Sequence, residues 1–173
     1  VLSELVADAL GTDGPAWGLA TACATGLDLI GHAADRIRCG DADAAVVVAA
    51  DAVPAEVGAL FDVWRAMPTD CNDCPPRAPK PFDVDRAGFL LAEAGAAVVL
   101  ESSELAVLGG APGVAEVVGY GAANDGGPVA EPSGDGLARA IGQSLDESEL
   151  SPAAIDYLNP HGPGTSTGDA IAP

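Results

Sequence analysis

Apolar residues recur at helical spacing through residues 24–39, where Leu27, Ile30, Ala34 and Ile37 fall on one face. The spacing predicts a helix from Ala24 to about Cys39, with Gly40 as its stop. Asp41 and Asp43 then bound a continuous apolar run, AAVVVAA at residues 44–50. Such a run predicts a strand buried on both faces, as in a parallel or mixed sheet covered by helices. GAAVVLE at 95–101 predicts a second strand. GVAEVVGY at 113–120, with partly alternating positions, predicts a third. Leu137, Ile141 and Leu145 recur at spacings of four and predict an amphipathic helix. Ser151-Pro152 reads as a capped helical turn, and IDYL at 155–158 as a fourth short strand. Helix, glycine turn and buried strand in succession give a layered α/β fold.

Two loops interrupt this pattern. Residues 66–87, AMPTDCNDCPPRAPKPFDVDRA, are polar and proline-rich. A loop of that length inside a compact domain tends to be functional. NPHGPGT at 159–165 follows the fourth expected strand. Catalytic groups in α/β folds usually sit at that end of a strand.

Composition narrows the classes. With 49% hydrophobic residues in 173, the chain can build a core, and aromatics at 4% leave that core to Ala, Val, Leu and Ile. A net charge of −19 argues against nucleic acid and anionic membranes as partners. Any acidic protein partner must dock on a local patch drawn from Arg36, Arg38, Arg65, Arg77, Lys80, Arg86 and Arg139. No apolar run approaches the ~20 residues that a membrane span needs. No basic n-region marks a signal peptide in VLSELVADALG, and a cytoplasmic location is expected. The chain starts without Met and ends at IAP, so a segment of a longer protein is expected.

Four cysteines and two histidines carry the candidate chemistry. Cys23 lies in ATACATG, between small residues at the start of the first predicted helix. Packing is one reading of a Cys there; nucleophilic catalysis is the other. A helix N-terminus supplies partial positive charge and free N–H groups, which favour a thiolate. Small neighbours let a substrate approach. His161, in the second loop, fits as acid, base or hydrogen-bond donor by type and placement. Cys71 and Cys74 form a C-x-x-C pair, but a zinc site needs a second ligand pair and neither His32 nor His161 has ligand spacing, while a redox dithiol usually sits at a helix start after a strand and this pair lies in a proline-rich loop. The pair reads as incidental, and no metal is expected. His32 stands off the apolar stripe of its helix and reads as structural or surface.

Four stretches together resemble the β-ketoacyl synthases, condensing enzymes of the thiolase-fold superfamily. TACATGLDLIGHAADRIRCGDADAAVV resembles the family's nucleophile segment, helix and following strand. NDCPPRAPKPFDVDRAGFLLAEAGAAVVLE is similar to its N-D-x-P…R-P-F-D-x-x-R-x-G-F…V-L-E stretch. AEVVGYG resembles the strand that opens the second half, and DYLNPHGPGTSTGD resembles the histidine motif D-Y-(V/I)-N-A-H-G-T-(G/S)-T-x-x-G-D. The resemblance implies an incomplete thiolase-like layered α-β-α-β-α fold. Residues 1–108 would be the rear part of the N-terminal half, with the nucleophile helix. Residues 109–173 would begin the C-terminal half, with the histidine loop. It further implies that Cys23 accepts an acyl chain from the phosphopantetheine arm of an acyl carrier protein. His161 would stabilise the enolate formed when malonyl-carrier protein loses CO2, and Thr165 would hydrogen-bond the pantetheine arm. No cofactor beyond that carrier-borne arm is implied. The implied partners are the carrier protein and an identical or sister ketosynthase-like subunit.

Several positions depart from the family pattern. Ala92 and Ala94 replace glycines, Ala87 a common Asp or Asn, and Pro160 an Ala. Pro163 stands at a frequent hydroxyl position, GPVA at 127–130 replaces Y-H-M-T, and Ala172 falls where Glu is expected. The second family histidine and a late Gly-Phe-Gly segment are expected beyond residue 173. Three readings follow: an elongating type II ketosynthase of fatty acid or polyketide synthesis, a non-catalytic subunit of the chain-length-factor type, or an inactive α/β fragment. Chain-length-factor subunits usually lack the nucleophile, so Cys23 favours the first.

Overall fold

A computed structural model of the chain describes residues 2–110, 113–128 and 132–171. Of the departures above, Ala172 and the last two residues of 127–130 lie outside the described residues. The chain divides into two units, each discontinuous in sequence: Val1–Ala50 with Gly95–Tyr120, and Asp51–Ala94 with Gly121–Pro173.

In the first unit, α1 spans Leu2–Leu10 and α2 spans Thr25–Arg38. Gly40, at φ 75°, stops α2 as expected. The buried face of α2 carries the small residues Gly31, Ala33 and Ala34. Leu27, expected on that face, is instead 70% exposed. Small residues set the buried face because its neighbours come close. Gly26 lies against Ala49, and the ring of Tyr120 lies over Gly31.

Strands β1 (Ala44–Asp51) and β2 (Ala94–Glu101) pair with each other. Ser102 donates its N–H to the Asp43 carbonyl at 3.0 Å, while Gly95 lies beside Ala50, so the two run antiparallel. The expectation of a strand buried on both faces is not met. In β1 only Val47 is buried, and Val99 of β2 is 64% exposed. A continuous apolar run encodes cover on two faces, and among the described residues these two strands make the whole sheet. Helix α4, Ser103–Gly109, follows; the Ser102 hydroxyl accepts from the Leu105 N–H at 3.2 Å to cap it.

The third and fourth expected strands do not form. Residues 113–120 and 155–158 are neither strand nor helix. A β-favouring sequence becomes a strand only when a partner takes up its backbone groups. Residues 113–120 are held to α2 instead, through Arg38 Nη2 donating to the Val117 carbonyl at 2.7 Å. The turn at Ser151 does form, as a single 3-10 turn over Pro152–Ala154, but the Ser151 carbonyl rather than its hydroxyl closes it.

In the second unit, α3 spans Ala55–Val63 and α5 spans Asp135–Ser148. A short α6 covers Gly168–Ile171. Residues 66–87 are a loop, as expected, with one 3-10 turn at Pro75–Arg77. An edge-to-face cluster closes its base: Phe61 stands 5.1 Å from Phe89 and 5.8 Å from Trp64. Gly134, at the N-cap of α5, has no side chain to offer. Asp125 does that work from the preceding loop, accepting from the backbone N–H of Ser133 at 2.7 Å and of Gly136. Among the described residues no helix is long and apolar enough to cross a membrane, and no group of three or more potential ligands could hold a metal.

Candidate functional site

The Cys23 segment is a strained turn. Ala22 adopts φ 51°, a left-handed backbone that costs a residue with a Cβ about 1–2 kcal/mol. The 3-10 turn Ala22–Ala24 then leads directly into α2. This carries Cys23 to the helix entrance, where its free thiol is exposed. Side chains of the same segment hold the turn. The Thr25 hydroxyl donates to the Ala22 carbonyl at 2.8 Å and accepts from the Thr21 N–H at 2.8 Å. The Thr21 hydroxyl donates to one oxygen of Asp28, and the Tyr120 hydroxyl donates to the other at 2.7 Å.

Asp28 thus ties the residue two before the cysteine to a tyrosine 97 positions beyond it (120 − 23 = 97). The Thr21 hydroxyl and then the Tyr120 hydroxyl hold the Asp28 carboxyl below its ordinary range. Burial, and secondly the hydrogen bond to Asp28, push the Tyr120 phenol up to about 12. His32 is exposed, with its ring 6.1 Å from that of Tyr120, in keeping with the structural or surface reading.

His161 and Thr165 belong to the second unit, Cys23 to the first. His161 is exposed on its loop. Behind the loop stands a buried carboxylate that sequence reasoning did not single out. Asp169, with 1% of its side chain exposed, accepts from the Gly164 N–H at 2.8 Å and the Phe82 N–H at 2.6 Å, and pairs with Arg86 Nε at 3.5 Å. Arg86 also donates to the carbonyls of Thr165 at 3.2 Å and Ser166 at 3.0 Å. The histidine loop and the end of the long loop are therefore held against each other. Gly164, at φ 89°, is required here: a Cβ would stand 2.6 Å from the carbonyl oxygen of Gly88, whose N–H donates to the Gly164 carbonyl at 2.9 Å. The ring of Phe82 lies against Gly162, next to His161. Thr165 is half-buried, and its hydroxyl accepts from the Gly168 N–H at 3.0 Å. The hydroxyl hydrogen remains able to donate elsewhere.

Sequence reasoning did not single out Asp28 and Tyr120, which hold the Cys23 turn, or Arg86 and Asp169, which hold the histidine loop. Asp28 looks like an ordinary acid in a first helical turn. Arg86 and Asp169 lie inside FDVDRAGF and TSTGD, where their presence in two motif stretches was the available signal.

Residues 1–106 match the family described as beta-ketoacyl synthase, N-terminal domain, and residues 114–172 match beta-ketoacyl synthase, C-terminal domain. The chain is 38% identical over 153 residues to 3-oxoacyl-[acyl-carrier-protein] synthase 1 of Haemophilus influenzae, covering 88% of this chain and 37% of that one. Among solved structures it is similar to the ishigamide ketosynthase/chain length factor, at 38% identity and a TM-score of 0.90 over 98% of this chain and 41% of that one. It is also similar to a type II polyketide synthase acyl-carrier protein in complex with its ketosynthase, at 31% identity and a TM-score of 0.92 over 98% and 42% of the two chains. The chain spans about two fifths of the length of the proteins it matches. With both halves of the family matched in order along it, the chain belongs to the β-ketoacyl synthase family and carries part of its thiolase-like α/β fold.

Proposed function

We propose that this chain is the nucleophile-bearing part of an elongating ketosynthase of fatty acid or type II polyketide synthesis, acting in the cytoplasm. The observation that carries the proposal is the exposed Cys23 thiol on a left-handed turn at the entrance of α2. In this reading residues 1–108 are the rear of the N-terminal half and 109–173 the start of the C-terminal half. The Cys23 thiolate attacks an acyl thioester on a carrier protein, and the phosphopantetheine thiol leaves. Malonyl-carrier protein then loses CO2. His161 donates to the thioester oxygen on which the enolate charge develops, the usual task of a donor at such a centre. The enolate carbon attacks the acyl-Cys carbonyl, a carbon–carbon bond forms, and the Cys23 thiolate departs. Thr165 donates its hydroxyl hydrogen to the pantetheine arm. No separate cofactor takes part. The carrier protein in one similar structure supports the acyl carrier as partner, and the chain length factor in another supports pairing with a ketosynthase-like subunit. A compact monomer of the full-length protein in size-exclusion chromatography would argue against that pairing.

The similarity to a ketosynthase/chain length factor also favours a second reading, a non-catalytic chain-length-factor subunit. One experiment separates the two. The full-length protein is incubated with acyl-carrier protein and weighed intact, beside Cys23→Ala and His161→Ala. The first reading predicts an acyl adduct on the wild type and on His161→Ala, none on Cys23→Ala, and a fall of about 100-fold or more in CO2 release from malonyl-carrier protein for His161→Ala. Equal adducts on wild type and Cys23→Ala would remove Cys23 from the mechanism. A wild type that takes no acyl group favours the second reading.

A further inference from the structure

We propose that Cys71 and Cys74 form a reversible dithiol–disulfide couple that exchanges with low-molecular-weight disulfides of the glutathione type. The inference does not rest on the function proposed above. The Cys74 N–H donates to the Cys71 carbonyl at 3.0 Å, so the two cysteines stand at the first and last positions of a hydrogen-bonded turn. That turn holds their Cα atoms within about 7 Å, which overlaps the separation a disulfide spans. The next hydrogen bond, Arg77 N–H to the Cys74 carbonyl at 3.0 Å, begins the 3-10 turn at Pro75–Arg77 and steadies the second cysteine. Both thiols are free, with Cys74 exposed and Cys71 half-buried. They line one cavity of about 190 Å³ together with Asp70, Asp73, Arg77 and Lys80.

The surroundings suit this chemistry better than the alternatives. A metal would need more ligands than two thiols, and no group of three or more exists among the described residues. On a chain of net charge −19 with seven basic residues, two of the seven line this cavity. Set against the carboxylates of Asp70 and Asp73 they balance the charge at the cavity, which spares an anionic disulfide there the repulsion expected from a strongly acidic chain. Cys74, the exposed thiol, attacks as thiolate on one sulfur of the small disulfide. The other half leaves as a thiolate, and a mixed disulfide remains on Cys74. The Cys71 thiolate then attacks the Cys74 sulfur and expels the second small thiol. The protein gives up two protons and two electrons, and the small disulfide is reduced to two thiols. The couple sits in the loop whose far end, at Phe82, backs the His161 loop.

Trypsin isolates the pair, since cleavage after Arg65 and Arg77 leaves peptide 66–77 with these two cysteines alone. The full-length protein is equilibrated in buffers of graded ratio of glutathione to glutathione disulfide, blocked with N-ethylmaleimide, digested and weighed. The expected result is a peptide 66–77 that loses two hydrogens and takes no maleimide as the buffer becomes more oxidising, with full reversal by dithiothreitol. Cys71→Ser should stop at a glutathione adduct on Cys74. Two maleimides on the wild-type peptide at every ratio, or a stable glutathione adduct there in place of the internal bond, would overturn the proposal.

Discussion

Glycine to alanine inside a helix ordinarily stabilises by roughly 0.5–1 kcal/mol, yet at position 31 the sign should reverse. A Cβ on Gly31 would stand 2.3, 2.4 and 2.6 Å from three atoms of the Tyr120 ring. Ordinary carbon contacts begin near ~3.5 Å, so the ring must retreat by about 1 Å. That retreat gives up the 2.7 Å hydrogen bond from the Tyr120 hydroxyl to Asp28. Lost to a charged acceptor in a half-buried setting, the bond is worth about 1.5 kcal/mol, and forced repacking adds about 1–2 kcal/mol. After the helix gain is subtracted, Gly31→Ala should destabilise by about 1.5–3 kcal/mol, a fall of roughly 3–12 °C in Tm for a domain of this size. Gly142 of α5, whose Cβ would meet nothing within 4 Å, is the control; Gly142→Ala should raise stability by about 0.5–1 kcal/mol. Urea unfolding measures both. In a Tyr120→Ala background, Gly31→Ala should become neutral or stabilising. A Gly31→Ala protein as stable as the wild type would show that Tyr120 does not lie over α2 and would dissolve the link from Asp28 to the Cys23 turn.

Other consequences follow from the same two networks. Asp169→Ala strips a buried acceptor from Arg86 and from the N–H groups of Phe82 and Gly164, and should cost about 3–5 kcal/mol; a loss below about 1 kcal/mol by urea unfolding would refute its holding role. Because folding raises the Tyr120 phenol to about 12, its contribution is whole below the ordinary value of about 10 and is lost as pH climbs from about 10 to 12. Asp28, held low by Thr21 and Tyr120, contributes fully above the ordinary carboxylate value of about 4 and loses that contribution as pH falls from there through its lowered folded value. Tyr120→Phe should therefore flatten the alkaline limb of the stability profile; an unchanged limb would contradict the Tyr120–Asp28 bond.

Much of the local structure was legible because it depends on neighbours a few residues away. The α2 period, the Gly40 stop, the apolar runs of β1 and β2 and the long polar loop were all read from short windows. The strands expected at 113–120 and 155–158 failed because strand formation needs a partner that local sequence does not name. Helices α1, α3 and α4, of nine, nine and seven residues, are short enough for periodicity to say little. Of the three, α4 is the one marked at both ends, by Ser102 before it and Gly110 after it, whereas Gly11 marks the end of α1 and Pro54 the start of α3. At the site, Cys23, His161 and Thr165 stood out by residue type and motif. Asp28 with Tyr120, and Arg86 with Asp169, act through contacts spanning 92 and 83 positions (120 − 28 = 92; 169 − 86 = 83), and no local window contains them.

The most direct test locates the acyl group itself. After reaction of the full-length protein with acyl-carrier protein, tryptic cleavage at Arg36, Arg38, Arg65 and Arg77 separates Cys23 from Cys39 and from the Cys71–Cys74 pair. The acyl mass should ride on the peptide that ends at Arg36. An acyl group found on peptide 39–65 or 66–77, with the peptide ending at Arg36 unmodified, would contradict the assignment of Cys23 as the acceptor.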